Sequence, residues 1–260
     1  MADLLGQPQV LVVRELSPDP ELLRALGRLV RGLSALFWGL PFALVVCLHA
    51  AIGVQTAIGD LLRPFGVVPA LLATSMLFYG LTLLRQFQRQ ERLWITALDR
   101  VQVLALINLG LSPFLYWWSR VPSHHFLGSA VQTLVFTGLL FLIGLNVILQ
   151  RLTAMLPDEA LRLETRLFTR LNRTILLVVL GLLGAYVAAV WIAPGLPDKV
   201  IGWLLERTAL RRHAFPIVAL IDRGRHVIFI LIVLLPVAMT MALLWKIKEV
   251  ILASVFGQER

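Results

Sequence analysis

Apolar residues in this chain are concentrated in six long runs, which polar segments rich in arginine separate. Each run is close to the length of about 20 residues that a helix needs to cross the hydrocarbon core of a bilayer. The runs cover 33–54, 64–84, 101–118, 126–149, 174–193 and 226–245. The pattern predicts an all-α integral membrane protein with about six transmembrane helices, forming a single membrane domain over residues 1–260.

Three basic amphipathic segments lead into apolar runs, at 20–32, 86–100 and 158–173. The first and third begin with proline next to acidic residues, which is typical of a helix start because acids favour the positive end of the helix dipole. These segments are predicted to be interfacial helices that immediately precede the first, third and fifth spans.

The six runs therefore group as three helical hairpins, and a weak internal repeat is one interpretation of that grouping. Gly39, Gly110 and Gly181 are separated by equal intervals of 71 residues. The alternative interpretation is that all interfacial helices feeding a span look alike. A true repeat would be in parallel orientation, because each unit contains two spans.

Composition agrees with a lipid environment, since 58% of the residues are hydrophobic and 15% are charged, against roughly 25% charged in soluble domains. The net charge of +9 comes almost entirely from arginine. In so apolar a chain, these arginines are expected to flank spans and face anionic lipid headgroups rather than nucleic acid.

The distribution of the positive charges predicts the orientation. Sixteen of the 24 Lys and Arg residues lie on the side that holds both termini and the segments 85–100 and 151–173. The positive-inside rule then places both termini in the cytoplasm of a multi-pass bacterial inner-membrane protein. The loop 194–225 departs from this rule with six basic residues, so it is either an external interfacial or re-entrant segment or a sign that one span is miscounted.

Contacts with lipid or a partner are assigned to the basic ramps and to this loop. The residues are Arg24, Arg28, Arg31, Arg166, Arg170, Arg173, Trp203, Arg207, Arg211 and Arg212.

Three amides, Asn108, Gln132 and Asn146, lie inside apolar runs and need hydrogen-bond partners there. They are expected either to join helices or to line a polar path for a substrate. Small residues occur at a spacing of four in the fifth run, which is typical of close packing within the chain or with another subunit. These residues are Gly181, Gly184, Ala185 and Ala188.

Chemistry is sparse elsewhere. His49 and His226 are weak candidates for haem ligands, and the pair His124–His125 lacks the Cys or carboxylate neighbours of a metal site, so neither a cofactor nor a metal is predicted. The signatures of common hydrolases, metalloproteases and nucleotide-binding enzymes are absent from the sequence.

The sequence thus favours a non-catalytic inner-membrane subunit that anchors or scaffolds a larger membrane complex, with other membrane subunits or further copies of itself as partners. The alternatives are a transporter, channel or lipid-handling permease built from helical hairpins, and, more weakly, a haem-binding electron-transfer subunit.

Overall fold

The structure, a computed structural model, describes residues 20–52, 65–87, 92–121, 123–155, 159–192 and 234–253. These residues contain six helices and no strand, which confirms the all-helical prediction. The helices are α1 (Pro20–Ile52), α2 (Val68–Arg85), α3 (Arg92–Arg120), α4 (His125–Ala154), α5 (Glu159–Ile192) and α6 (residues 234–253). The predicted loop 194–225 and the first part of the sixth run lie outside the described residues.

Five of these helices, α1 to α5, are long and apolar enough to cross a membrane. The ramps of α1 and α5 are not separate segments, because each continues without a break into the apolar run that follows it. With 33 and 34 residues, α1 and α5 are each about 50 Å long at 1.5 Å per residue. This length exceeds the hydrocarbon thickness of about 30 Å, so each helix has a charged extension beyond its apolar part.

The start of α2 lies four residues later than the start of the second apolar run. Gly66 has a positive φ of 58°, a conformation that costs glycine little. Pro69 then occupies the first turn of α2, where its missing N–H would have no helical partner in any case. The glycine turn and the proline together set the helix boundary.

Each helix packs antiparallel to the next one along the chain. Hydrogen bonds show the direction for α3 and α4, because Leu93 pairs with Arg151 at one end of the two helices, while Asn108 pairs with Thr137 further along both. α6 runs antiparallel to α5 and also reaches α1, where the ring of Trp245 lies 5.6 Å from that of Phe37. The result is an up-and-down bundle.

The buried positions recur at alternating intervals of three and four residues, the spacing of helices that pack at shallow angles. In α3 this seam is unbroken and consists of Trp94, Leu98, Val101, Ala105, Asn108, Ser112 and Leu115. α4 has two neighbouring seams of this kind and contacts both α3 and α5. Through Asn146 it also contacts α6, so α4 packs against three other helices.

One end of the bundle, here called the charged end, holds the ion pairs Arg85–Asp99 and Lys246–Glu164. Most of the fully buried large side chains lie close to this end, namely Leu29, Leu33, Leu36, Leu81, Leu84, Trp94, Leu98, Leu145, Ile148, Leu149 and Leu152. The opposite end has a smaller core cluster of Val46, Ala70, Leu115, Val131 and Leu134. Packing is thus densest where the helices are most charged.

Glycines let α1 and α2 approach closely at the charged end. A Cβ on Gly32 would lie 2.9 Å from the carbonyl oxygen of Gly80, and a Cβ on Gly80 would lie 2.8 Å from Cγ of Leu36. Backbone atoms cannot move aside as a flexible side chain can. The contact therefore depends on the absence of both side chains.

We expect the substitution Gly32→Ala to destabilise the bundle by about 1–3 kcal/mol, because the added methyl group overpacks the α1–α2 contact. The matched control is Gly110→Ala, since a Cβ on Gly110 meets no atom within 4 Å. It should be neutral or slightly stabilising, because alanine favours the helix by up to about 1 kcal/mol. Thermal unfolding in mild detergent measures both, and equal effects would contradict the proposed contact.

Candidate functional site

The most extensive buried polar cluster in the described residues joins three helices, with Asn146 from α4, Asn172 from α5 and Thr240 from α6. All three residues are at most 2% exposed. Nδ2 of Asn172 donates to Oδ1 of Asn146 at 3.1 Å and to Oγ1 of Thr240 at 2.9 Å. Nδ2 of Asn146 donates to Oγ1 of Thr240 at 3.2 Å. We call this group the amide cluster.

The backbone completes the amide cluster. Nδ2 of Asn146 also donates to the carbonyl oxygen of Leu142 at 2.8 Å. The carbonyl oxygen of Pro236 accepts from Oγ1 of Thr240 at 2.8 Å and lies 3.2 Å from Nδ2 of Asn172. The one polar atom of the cluster without a partner in the structure is Oδ1 of Asn172. The cluster is thus nearly satisfied within itself.

Helical spacing explains why these side chains meet. Asn172 follows Thr165 and Thr169 and precedes Leu176 and Val179, all of them buried, so it belongs to the inner seam of α5. Asn146 belongs in the same way to one of the two seams of α4. An amide on a core-facing seam must bond to a neighbouring helix, because no water reaches it.

A second polar contact joins α3 to α4, where Oγ1 of Thr137 donates to Oδ1 of Asn108. A weaker contact of 3.4 Å joins Thr74 of α2 to Ser112 of α3. The buried polar side chains in the described part of the chain are all neutral: Asn108, Ser112, Asn146, Thr153, Thr165, Thr169, Asn172 and Thr240. Such groups donate and accept hydrogen bonds but do not exchange protons near neutral pH.

The three amides predicted from the sequence do not converge. Asn108 and Asn146 are buried in separate contacts, because the partner of Asn108 on α4 is Thr137, which lies nine residues, or about 14 Å, from Asn146 along that helix. Gln132 is exposed on α4. The amides therefore do not line one common path.

The predicted histidine sites remain apart from the amide cluster. His49 is partly exposed in the last turn of α1, and His226 lies outside the described residues. His124 and His125 are exposed at the start of α4. In the part of the chain that the structure describes, no three His, Cys, Asp or Glu side chains lie close enough together to hold a metal ion.

The basic residues of the ramps have two environments. Arg28 is partly buried and its Nη1 donates to Oε1 of Gln86 at 3.1 Å, which joins α1 to the end of α2. The other ramp arginines to which a lipid or partner contact was assigned are exposed: Arg24, Arg31, Arg166, Arg170 and Arg173. The loop residues Trp203, Arg207, Arg211 and Arg212 lie outside the described residues.

An open recess between α2 and α3 has a volume of about 550 Å³. It is lined by Phe78, Thr82, Arg85, Gln86, Ile95 and Gln102. Arg85 is paired with Asp99 at 3.4 Å, and Gln86 already accepts from Arg28. Two of the polar groups at the recess are thus engaged with other residues.

The small residues predicted to pack closely do not do so within the described part of the chain. Gly181, Ala185 and Ala188 are exposed on α5, and a Cβ on Gly181 meets no atom within 4 Å. Gly184 is partly exposed, with the ring of Phe136 3.9 Å from its Cβ position. Packing against another subunit stays a prediction for this face.

Sequence reasoning missed Asn172 and Thr240. Asn172 lies in the charged ramp rather than in the apolar run, so it was not counted among the intramembrane amides. The spacing of Thr165, Thr169 and Asn172 with Leu176 was the available signal, because it continues the apolar seam of the span into the ramp.

The chain matches no protein-family model, no curated protein and no solved structure. The geometry of the described residues therefore carries the functional argument by itself.

A double-mutant cycle tests the amide cluster. We expect Asn146→Leu and Asn172→Leu each to cost about 1–3 kcal/mol of unfolding free energy, because each leaves buried polar partners unsatisfied. The double variant should lose less than the sum, with a coupling of roughly 0.6–2 kcal/mol. Denaturant titration in detergent measures all three.

The matched control for this cycle is Gln132→Leu, which removes an exposed amide from the same helix and should stay within about 0.5 kcal/mol of the unsubstituted protein. Strict additivity of the two asparagine substitutions would contradict the cluster.

Proposed function

We propose that this chain is a non-catalytic, multi-pass subunit of the bacterial inner membrane that anchors or scaffolds a larger membrane complex. The observation that carries the proposal is the amide cluster, because the buried polar groups of α4, α5 and α6 are used to hold these helices to one another. Polar groups used in this way give a membrane bundle a fixed structure.

The exterior of the bundle supports membrane insertion. Large apolar side chains cover the outward faces of the helices, among them Trp38 at 64%, Leu72 at 58% and Leu182 at 62% exposure. A water-soluble protein rarely exposes apolar area on this scale. Lipid is the solvent that suits these faces.

A transporter has less support than a scaffold. Proton- or ion-coupled transport usually depends on a charged group in the membrane interior, since charge there is costly and is kept for function. The buried polar residues described above are neutral, and the predicted amides lie at separate positions. For haem binding, the second predicted ligand, His226, lies outside the described residues, and His49 is partly exposed in the last turn of α1.

The proposed topology has six spans, with the charged end in the cytoplasm. The antiparallel order of α1 to α6 brings Arg28, Arg85, Arg151 and Lys246 to this one end. An excess of basic residues on one side is the usual mark of the cytoplasmic face. The ramps then extend from the membrane boundary into the cytoplasm.

Labelling of single cysteines tests this orientation. In a Cys47→Ser background, we expect Ser123→Cys, an exposed position before α4, to react with a membrane-impermeant maleimide in intact cells. Ala154→Cys, an exposed position at the other end of α4, should react only after the membrane is permeabilised. The reverse pattern would overturn the orientation.

Purification from native membranes at low detergent tests the scaffold. We expect other polypeptides to copurify in stoichiometric amounts, and Asn146→Leu to reduce their recovery because it loosens the cluster. Gln132→Leu is the control and should leave recovery unchanged. A lone monomer or a complex made only of this chain would contradict the proposed function.

A further inference from the structure

The outward face of α5 carries a second seam, here called the outer seam. Its positions alternate at intervals of four and three residues and are Leu167, Leu171, Thr174, Val178, Gly181, Ala185 and Ala188. Each of these seven residues is exposed. They lie on the side of the helix opposite the buried residues Thr165, Thr169, Asn172, Leu176 and Val179. α5 therefore has the spacing for helix packing on two faces, and the described residues of the chain cover one of them.

The part of the outer seam nearest the charged end is unsuited to lipid tails. Leu167 and Leu171 are 72% and 55% exposed, and Leu163, which flanks the seam, is 69% exposed. The stretch that carries them also carries Glu164 and three exposed arginines, Arg166, Arg170 and Arg173. So many charges are excluded from hydrocarbon, and in the proposed topology this stretch extends beyond it. Exposed leucines on an aqueous extension are best covered by protein.

We propose that the outer seam packs against the same seam of a second copy of this chain, as a parallel α5–α5 pair about a twofold axis along the membrane normal. Two copies in one membrane have the same orientation, so a parallel pair is the arrangement in which each seam residue meets its own counterpart. No position of the seam is charged. Glu164, one interval before Leu167, is paired with Lys246 of its own chain, and the seven seam positions themselves oppose no like charges.

The positions that flank the outer seam agree with this pairing. In a parallel helix pair, a flanking residue faces the residue five positions later in the other copy, as in coiled coils. Leu163 then faces the partner's Phe168, and Leu177 faces the partner's Leu182. All four of these residues are large, apolar and exposed. Arg170 faces the partner's Ile175, so the arginines meet no positive charge across the pair.

The half of the outer seam further from the charged end suits close contact within the membrane. Gly181, Ala185 and Ala188 are small, and small residues allow two helix backbones to approach where the hydrophobic effect gives no drive. This half also explains why Gly181 has open space beside it within one copy.

Disulfide crosslinking tests the pair with the purified protein in phospholipid vesicles. In a Cys47→Ser background, Leu171→Cys and Val178→Cys introduce a thiol on the outer seam. Leu93→Cys and Val103→Cys are matched controls at exposed leucine and valine positions of α3. After mild oxidation, we expect at least a fivefold higher yield of dimer from the seam positions, unchanged by tenfold dilution with lipid. Equal yields at all four positions, or yields that fall in proportion to dilution, would overturn the pair.

A second pair of variants separates specific packing from chance collision. Added to Val178→Cys, the substitution Gly181→Leu should reduce the dimer yield severalfold, because it places bulk on the seam at a position where a Cβ meets no atom within 4 Å. Gly110→Leu, at a glycine with equally open surroundings on α3, should leave the yield unchanged. No effect of Gly181→Leu would contradict the pair.

This inference rests on the proposed membrane subunit, but the two can fail separately. If Leu171→Cys in native membranes joins a different polypeptide and never itself, the second copy is the wrong occupant and the scaffold remains. If the seam crosslinks to itself and the native preparation contains only this chain, the pair remains and the scaffold fails.

Discussion

The packing of large apolar side chains at the charged end is the interaction on which the rest of the bundle depends. Leu33 and Leu36 of α1, Leu84 of α2, Trp94 of α3 and Leu149 of α4 are all fully buried there. In the proposed membrane placement, these four leucines lie at the span boundary or within one turn of it, and Trp94 lies in the charged extension beyond it, so this core is next to water. Burial of apolar surface stabilises at about 25 cal/mol per Å² in water, whereas within lipid an apolar side chain gains little by leaving the bilayer for the protein interior. The dense core lies where that gain is available.

Further into the proposed membrane, other contacts take over from leucine packing. Gly39 of α1 packs closely against Leu77 of α2, and the pair Asn108–Thr137 joins α3 to α4. The amide cluster joins α4, α5 and α6 where the charged ramp of α5 meets its apolar run. These contacts are directional and require one register of each helix against the next. Together with the leucine core they account for a single up-and-down arrangement of the helices.

The two faces of α5 have different roles in this scheme. Its inner seam carries Asn172 and belongs to the core of one copy, while its outer seam is uncharged and open. A helix that packs against its own chain on one side and is exposed among the described residues on the other is suited to connect subunits. This reasoning links the scaffold proposal to a definite surface, whereas the sequence analysis had distributed partner contacts over the ramps, the loop 194–225 and the small residues of the fifth run.

Much of the architecture could be predicted from the sequence, because hydropathy over about 20 residues is a local property that needs no tertiary information. The helices α1 to α5 lie where the first five apolar runs predicted them. The ramps 20–32 and 158–173 were predicted as separate interfacial helices, but each forms one continuous helix with its apolar run, in α1 and in α5. Nothing in these ramps interrupts helical hydrogen bonding before the apolar run. α2 begins four residues after the start of the second apolar run because of the turn at Gly66 and the proline at position 69. Hydropathy alone had counted the residues of this turn as part of the span.

The candidate site was less accessible to sequence reasoning. Asn146 was recognisable as an amide in an apolar run, but its partners Asn172 and Thr240 lie 26 and 94 residues away along the chain. Gly39, Gly110 and Gly181 are equally spaced in sequence, and yet Gly39 alone packs closely, against Leu77. Such differences depend on which helix lies alongside, and helical periodicity does not specify the neighbour.

The sequence by itself determined the helical class, the apolar length of the helices and the clustering of arginine at one end. These properties follow from the composition and spacing of neighbouring residues. Only the tertiary structure decided which polar groups meet, which glycines permit close contact and which face of α5 stays open. Each of these is a relation between distant parts of the chain, set by the packing of whole helices against one another.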